Sequence, residues 1–200
     1  MHREERHLSY SAEQTICNSV EDILTALGAN LDGTPLADTP RRVAKMFDEI
    51  FEGMRFTNEE IARMFDKCFE EPEAHDLVLM KDINAFSWCE HHMALMYNMK
   101  IHVAYIPNGR VIGLSKIPRI VDMVCKRLQL QERIGADIAD ILQMITKTND
   151  VMVVIEAEHS CVTARGIKSP GTTTRTAVLR GLFDKNTSLR SEVYQLLKGN

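Results

Sequence analysis

Hairpin-forming strands that bracket two amphipathic helices, behind a helical N-terminal part, predict an α+β fold for this 200-residue chain. Three observations carry the prediction. Up to about residue 70, apolar residues recur at helical spacing. From Leu77 the composition turns to strand formers around a Pro107–Gly109 turn, and the later run VMVVIEAEHSCV is followed by a second strand-like run, TTTRTAVLRGLF. From Leu77 the order is β-β-α-α-β-β, which is built on hairpins and not on alternating βαβ units. This divides the chain into an N-terminal helical region, 1–75, and an α+β domain, 76–200.

Each element has a local reason. Ser11 and Gln14 have capping-box spacing ahead of Ile16, Val20, Ile23, Leu24 and Leu27, and Gly28 stops that helix. Thr39 caps a second helix with Pro40 in its first turn; Val43, Met46, Phe47, Ile50 and Phe51 form its stripe. Thr57 and Glu60 repeat the box for a third helix, lined by Ile61, Met64, Phe65 and Cys68, and the acidic EEPEAHD segment reads as a linker. Strands are expected at 77–83 and 99–106, with the PNG turn leading back into 111–114. Ile120, Val121, Val124 and Leu128 mark one helix. Ile134, Ile138, Ile141, Leu142 and Ile145 mark the next, and a short helix near 188–197 closes the chain.

Composition narrows the function. The chain is 44% apolar and 26% charged, enough for a sizeable core, and its formal charge of -4 offers no basic stripe for nucleic acid. No run of eighteen apolar residues predicts a membrane span, and the charged start MHREERHLSY argues against a signal peptide. Five cysteines, an odd number, in a chain without a secretion signal imply free thiols in a cytoplasmic, reducing setting. Cys17, Cys68 and Cys125 fall on apolar helical faces and read as core. His102 reads as a structural residue of a strand; His2, His7 and His75 lie in polar surroundings and carry no signal.

The segment SWCEHH, 87–92, is different. Cys89 and His92 stand three apart, so a tight turn lets both reach one ion. Cys161 is the third candidate, on a later strand with His159 two residues before it on the same side. Two thiolates and an imidazole suit Zn2+, and an open fourth position is the catalytic arrangement; a structural Cys2His2 site, closed by His91 or His159, is the competing reading. Spare imidazoles beside a metal are suited to proton transfer. GLSKIPRIVDM places Ser115, Lys116 and Arg119 at a helix start, and alternation from Cys161 turns Arg165 toward the metal, a cation set suited to a small polyanion. Gln131 and Glu132 open the second helix. The carboxylate there is either a first-turn acid or an acceptor for the N–H edge of a purine.

With these residues in place, the chain resembles the GTP cyclohydrolase I family. The resemblance is carried by CEHH at 89–92, YIPNGRVIGLSKIPRIVD at 105–122, RLQLQER at 127–133, EHSCVTARG at 158–166, GLF at 181–183 and the upstream DTPRRVAKMFDEIFEGM at 38–54. It implies a T-fold catalytic domain whose ββααββ units close into a β-barrel ring, two pentameric rings stacking into a homodecamer with active sites at subunit boundaries. It implies Zn2+ on Cys89, His92 and Cys161, acid/base roles for His91 and His159, and Ser115 near the ribose of the substrate, GTP. Glu132, with Gln131 beside it, would recognise the purine; Lys116, Arg119 and Arg165 would bind the triphosphate, with Arg42 contributed by a neighbouring subunit. The implied reaction hydrolyses C8 of guanine out as formate and rearranges the ribose to give 7,8-dihydroneopterin triphosphate, the first step of a pterin or tetrahydrofolate pathway.

Overall fold

The computed structural model describes residues 6–198, which form two compact units that divide between Arg55 and Phe56; His2 lies outside the described residues. The first unit holds α1 (Tyr10–Ala26), a 3-10 turn (Pro35–Asp38), α2 (Thr39–Ile50) and a second 3-10 turn (Glu52–Arg55). The cap of α1 is Ser9, two residues before the expected Ser11: its Oγ accepts from the Ala12 N–H at 3.2 Å. Gly28 stops the helix as expected, at φ 83°, where a residue with a β-carbon is strained. Thr39 is the first residue of α2 and not its cap, because the chain enters α2 from a 3-10 turn that Thr34 already caps. α1 buries none of its residues, so Cys17 is only partly covered and is not the core cysteine expected.

The second unit begins with α3 (Asn58–Phe65), where both halves of the Thr57/Glu60 capping box form. Cys68 lies beyond this helix. The chain turns at Asp66 and Cys68 opens β1 (Cys68–Glu70), which pairs antiparallel with β4 (Arg110–Ile112). The strand after the PNG turn therefore returns to β1 and not to its hairpin neighbour. The EEPEAHD segment is correspondingly tied down: Glu71 N–H donates to Gly109 O at 2.9 Å.

The main sheet contains β2 (Val78–Cys89), β3 (Ala94–Tyr105), β5 (Leu128–Gln129), β6 (Val151–His159) and β7 (Thr173–Leu179), in the order β5-β2-β3-β6-β7. All pairs are antiparallel except β2 with β5. Leu128 thus sits in a short strand after α4 (Lys116–Cys125), which ends three residues before it. α5 (Gln131–Thr146) and α4 cover one face. Ile120, Val124, Ile134, Ile138, Ile141 and Ile145 pack with Val151, Val153 and Ile155 in one buried cluster. Each such side chain contributes roughly 1.5–3 kcal/mol by leaving water. A short turn of helix, α6 (Ser160–Thr163), follows β6, and α7 (Leu182–Lys185) and α8 (Thr187–Lys198) close the chain. Phe183 and Val193 from these last helices cover Ala104, Met152 and Val154 on the second face. Farther along that face the register aligns Asn84, Lys100, Glu156 and Arg175 in one polar row across four strands.

α5 approaches the sheet through Gly135, where an added β-carbon would lie 2.9 Å from Val178 Cγ2. Gly135→Ala gains about 1 kcal/mol of helix propensity. The overpacking against a β-branched side chain costs about 1–3 kcal/mol. The expected outcome is a lower urea midpoint at unchanged slope.

His102 Nδ1 accepts the Asp82 N–H at 3.1 Å, where Asp82 takes φ 61° in an irregular stretch of β2. Burial, first, holds this imidazole below its ordinary value, with Arg175 and Lys81 adding to the effect against Asp82 and Glu156. The unfolded chain therefore binds a proton before the native chain does. Stability is full above the ordinary value of 6.5 and is lost as pH falls below it toward the folded value. Urea midpoints measured at about pH 7.5 and about pH 5.5 should fall toward acid, and His102→Gln should flatten the difference.

Candidate metal centre

β2 ends at Cys89, and the chain reverses over residues 90–93 before β3. Met93 N–H donates to Cys89 O at 2.9 Å and Met93 takes φ 51°. This reversal brings His92 back over Cys89, with Nδ1 3.7 Å from Sγ. Cys161 joins them from a different element than expected: β6 stops at His159, and Cys161 lies on α6, closed by Ala164 N–H donating to Ser160 O at 3.0 Å. Strand alternation is thus not what faces Cys161 inward; a helical turn does it, anchored to β3 through Tyr97 Oη and Thr163 Oγ1 at 3.0 Å. The donor atoms of Cys89, His92 and Cys161 all lie within 4.8 Å of one another.

The donor set fits the expected ion. Two sulfurs and an imidazole nitrogen at this spacing match a soft or borderline divalent metal. Burial, and then the adjacent Cys89, push the Cys161 thiol above its ordinary value, so a cation is what would favour the thiolates. The group has three members among the described residues, and the two candidates for a fourth ligand do not join it. His91 is exposed, its ring centre 6.2 Å from that of His92. His159 is engaged elsewhere.

That engagement is specific. Gln131 is 2% exposed, and its side-chain nitrogen donates to Ile155 O at 3.2 Å, Thr174 O at 3.0 Å and Thr176 Oγ1 at 3.2 Å. Carbonyls only accept, so the amide oxygen must be the atom 2.7 Å from His159 Nε2. His159 therefore carries its proton on Nε2 and keeps a lone pair on Nδ1. Burial holds its imidazole below the ordinary value, against the opposing charge of Glu132. The Gln131 amide thus bonds to both strands and holds His159. Glu132, next to it, is exposed in the first turn of α5.

The cations divide. Arg165, in the turn after α6, reaches His92, with Nη1 3.0 Å from Nε2. Ser115 and Lys116 lie elsewhere. The Cys125 end of α4 receives Ser87 Oγ at 2.8 Å, two residues from Cys89, and Lys116 is at the other end of that helix, about 14 Å away. The β1–β4 pair that precedes α4 meets Ile145 O through Cys68 Sγ at 3.8 Å. That is the far end of α5 from Gln131, about 21 Å along the axis. Ser115, Lys116 and Arg119 therefore belong to a second locus of the same chain and not to the cysteine cluster. Arg42 is an exposed residue of α2, 3.4 Å from Asp38.

Two features escaped the sequence reading: the Gln131–His159 bond and a fork from Arg133 to Glu90 (Nη1–Oε2 2.5 Å, Nη2–Oε1 3.2 Å). Neither has a spacing signal, since each joins residues brought together only by folding.

An open three-donor centre beside an oriented imidazole is the layout of a metal-assisted hydrolytic enzyme. A model of the GTP cyclohydrolase I family matches residues 16–198. The GTP cyclohydrolase 1 of Ruminiclostridium cellulolyticum is 55% identical over 184 residues, covering 90% of this chain and 94% of that protein. Those of Clostridium botulinum (strain Loch Maree) and Clostridium acetobutylicum are each 54% identical, covering 88% and 90% of this chain and 93% and 94% of theirs. The chain belongs to the GTP cyclohydrolase I family, and it is an enzyme of that kind.

Gln131→Ala removes a buried amide that serves two backbone carbonyls and His159. It is expected to cost about 1–3 kcal/mol in urea unfolding. Glu132→Ala, one residue on and exposed, should stay within about 0.5 kcal/mol of the parent.

Proposed function

We propose that this chain converts GTP to 7,8-dihydroneopterin triphosphate and formate in a zinc-dependent reaction that opens a pterin or tetrahydrofolate pathway. The observation that carries the reading is the convergence of Cys89, His92 and Cys161 within 4.8 Å of one another, in a chain whose relatives bear the name GTP cyclohydrolase 1. These three residues would hold Zn2+, which when bound supplies the Lewis acidity that makes water nucleophilic near neutral pH.

The remaining roles are those that the family resemblance implies, and the chemistry of the residues suits them. His159, with its lone pair on Nδ1, and the exposed His91 move protons to and from N7 of the guanine and the opening ribose, near Ser115. Glu132 accepts from the N1–H and 2-amino group of guanine; adenine offers no such pair and leaves the carboxylate unmatched. Lys116, Arg119 and Arg165 anchor the triphosphate, with Arg42 as a further contact, and do no phosphoryl chemistry because the phosphates survive.

The separation of Lys116 from the cysteine cluster supports an active site completed by a second copy of the chain. So do the sheet margins. β7 has no partner on its outer side, and β2 has none along 78–86, among the described residues. Two open edges on opposite sides of one sheet favour head-to-tail pairing, which closes a ring when the rotation allows. A T-fold barrel ring, stacked in pairs as a homodecamer, satisfies both edges, and residues 76–200 would supply it. No helix of the described residues is long and apolar enough to cross a membrane, and five free cysteines fit a cytoplasmic protein.

The test is direct. Zinc-loaded protein incubated with GTP should release formate while a dihydropterin absorbance appears. Cys161→Ala and His91→Ala should each lower both by about a hundredfold or more. A folded, zinc-replete protein that yields no formate would overturn the reading.

A further inference from the structure

Glu90 sits inside the turn that carries two of the metal-capable ligands, and its partner is the third residue of α5. Arg133 grips it with both arms of the guanidinium, at 2.5 and 3.2 Å. On its backbone side, Glu90 N–H donates to Gln129 O at 3.0 Å, continuing the parallel pairing of β5 with Trp88 and Cys89. The turn is thus fastened twice, to β5 by main chain and to the start of α5 by the fork. The two side chains are 46% and 31% exposed, and ion pairs at such exposure add little to overall stability. What a two-point guanidinium–carboxylate contact supplies is fixed geometry.

We infer that Glu90 and Arg133 form a positioning pair that holds the 89–92 turn in the shape its metal requires. The inference rests on the cluster being a zinc site. Without the fork, the four-residue reversal would keep its main-chain bonds and the contact of Arg165 with His92, and Glu90, between the two ligands, would lose its side-chain tie to α5. Outer contacts of this kind change metal affinity or activity by about 10–100-fold when removed.

The experiment uses the full chain with zinc as the probe. Chelator competition, GTP turnover and thermal melting are measured for the parent, Glu90→Ala, Arg133→Ala, the double variant and Glu90→Gln, which keeps one acceptor oxygen. Each alanine variant should bind zinc about tenfold more weakly. Its kcat should fall more than its KM rises, with the melting temperature nearly unchanged. The double variant should be no worse than the weaker single, and Glu90→Gln should recover part of the affinity. Parent-like zinc affinity in both singles, or losses that multiply to about a hundredfold in the double, would overturn the inference alone. A parent chain that takes up no zinc would overturn the zinc reading and this inference together.

Discussion

Helix α5 lies so close to the sheet that at Gly135 only hydrogen fits against Val178, and that approach sets the depth at which Gln131 enters. Its buried amide bridges β6 and β7 through the Ile155 and Thr174 carbonyls and then reaches His159. Its successors, Glu132 and Arg133, emerge at the rim beside the Cys89–His92 turn. A single helix start therefore serves the sheet, the proton-carrying imidazole and the metal-capable turn. Buried amides bind under strict rules, because any donor or acceptor left over inside a protein costs the full desolvation of that group. Once the two carbonyls are served, the orientation of the amide, and with it the protonated nitrogen of His159, has no freedom left.

The chain offers its chemistry at two separate places. One end of α5 gathers soft donors, imidazoles and Arg165. The other end, beyond Ile145, lies with β1, β4 and the entry to α4, where Ser115 and Lys116 sit at the positive pole of a helix. A substrate with a purine at one end and three phosphates at the other needs both kinds of surface, and one copy of this chain holds them about two helix turns or more apart. The division has a physical advantage. Cationic side chains packed against the thiols would oppose a metal ion there, and of the cations discussed only Arg165 reaches the cluster within one chain.

Periodicity alone determined a good deal. The five apolar positions of α5 are all fully buried, the Thr57/Glu60 box forms on both sides, and the final two strands pair as their composition predicts. These are local or repeating signals, set by backbone geometry within a few residues, so they survive whatever the chain does elsewhere. Cys89 with His92 is of the same kind, because a spacing of three and a reversing chain suffice to bring the two together. Boundaries were less legible. Ser9 and not Ser11 caps α1, and Cys68 and Leu128 leave their helices for strands, since hydrogen bonds to distant segments outweigh small differences in propensity.

What only the tertiary structure decided is everything that depends on two distant segments meeting. Cys161 faces the centre because the strand ends at His159 and a helical turn begins. Gln131 serves the fold and His159, Glu90 finds Arg133, and Lys116 stands at the opposite end of α4 from the end that Ser87 ties to the strand of Cys89. No local rule encodes these contacts. Their energies are set by burial and by which partner remains for the last unsatisfied donor, and both are defined only when the whole sheet and its helices are in place.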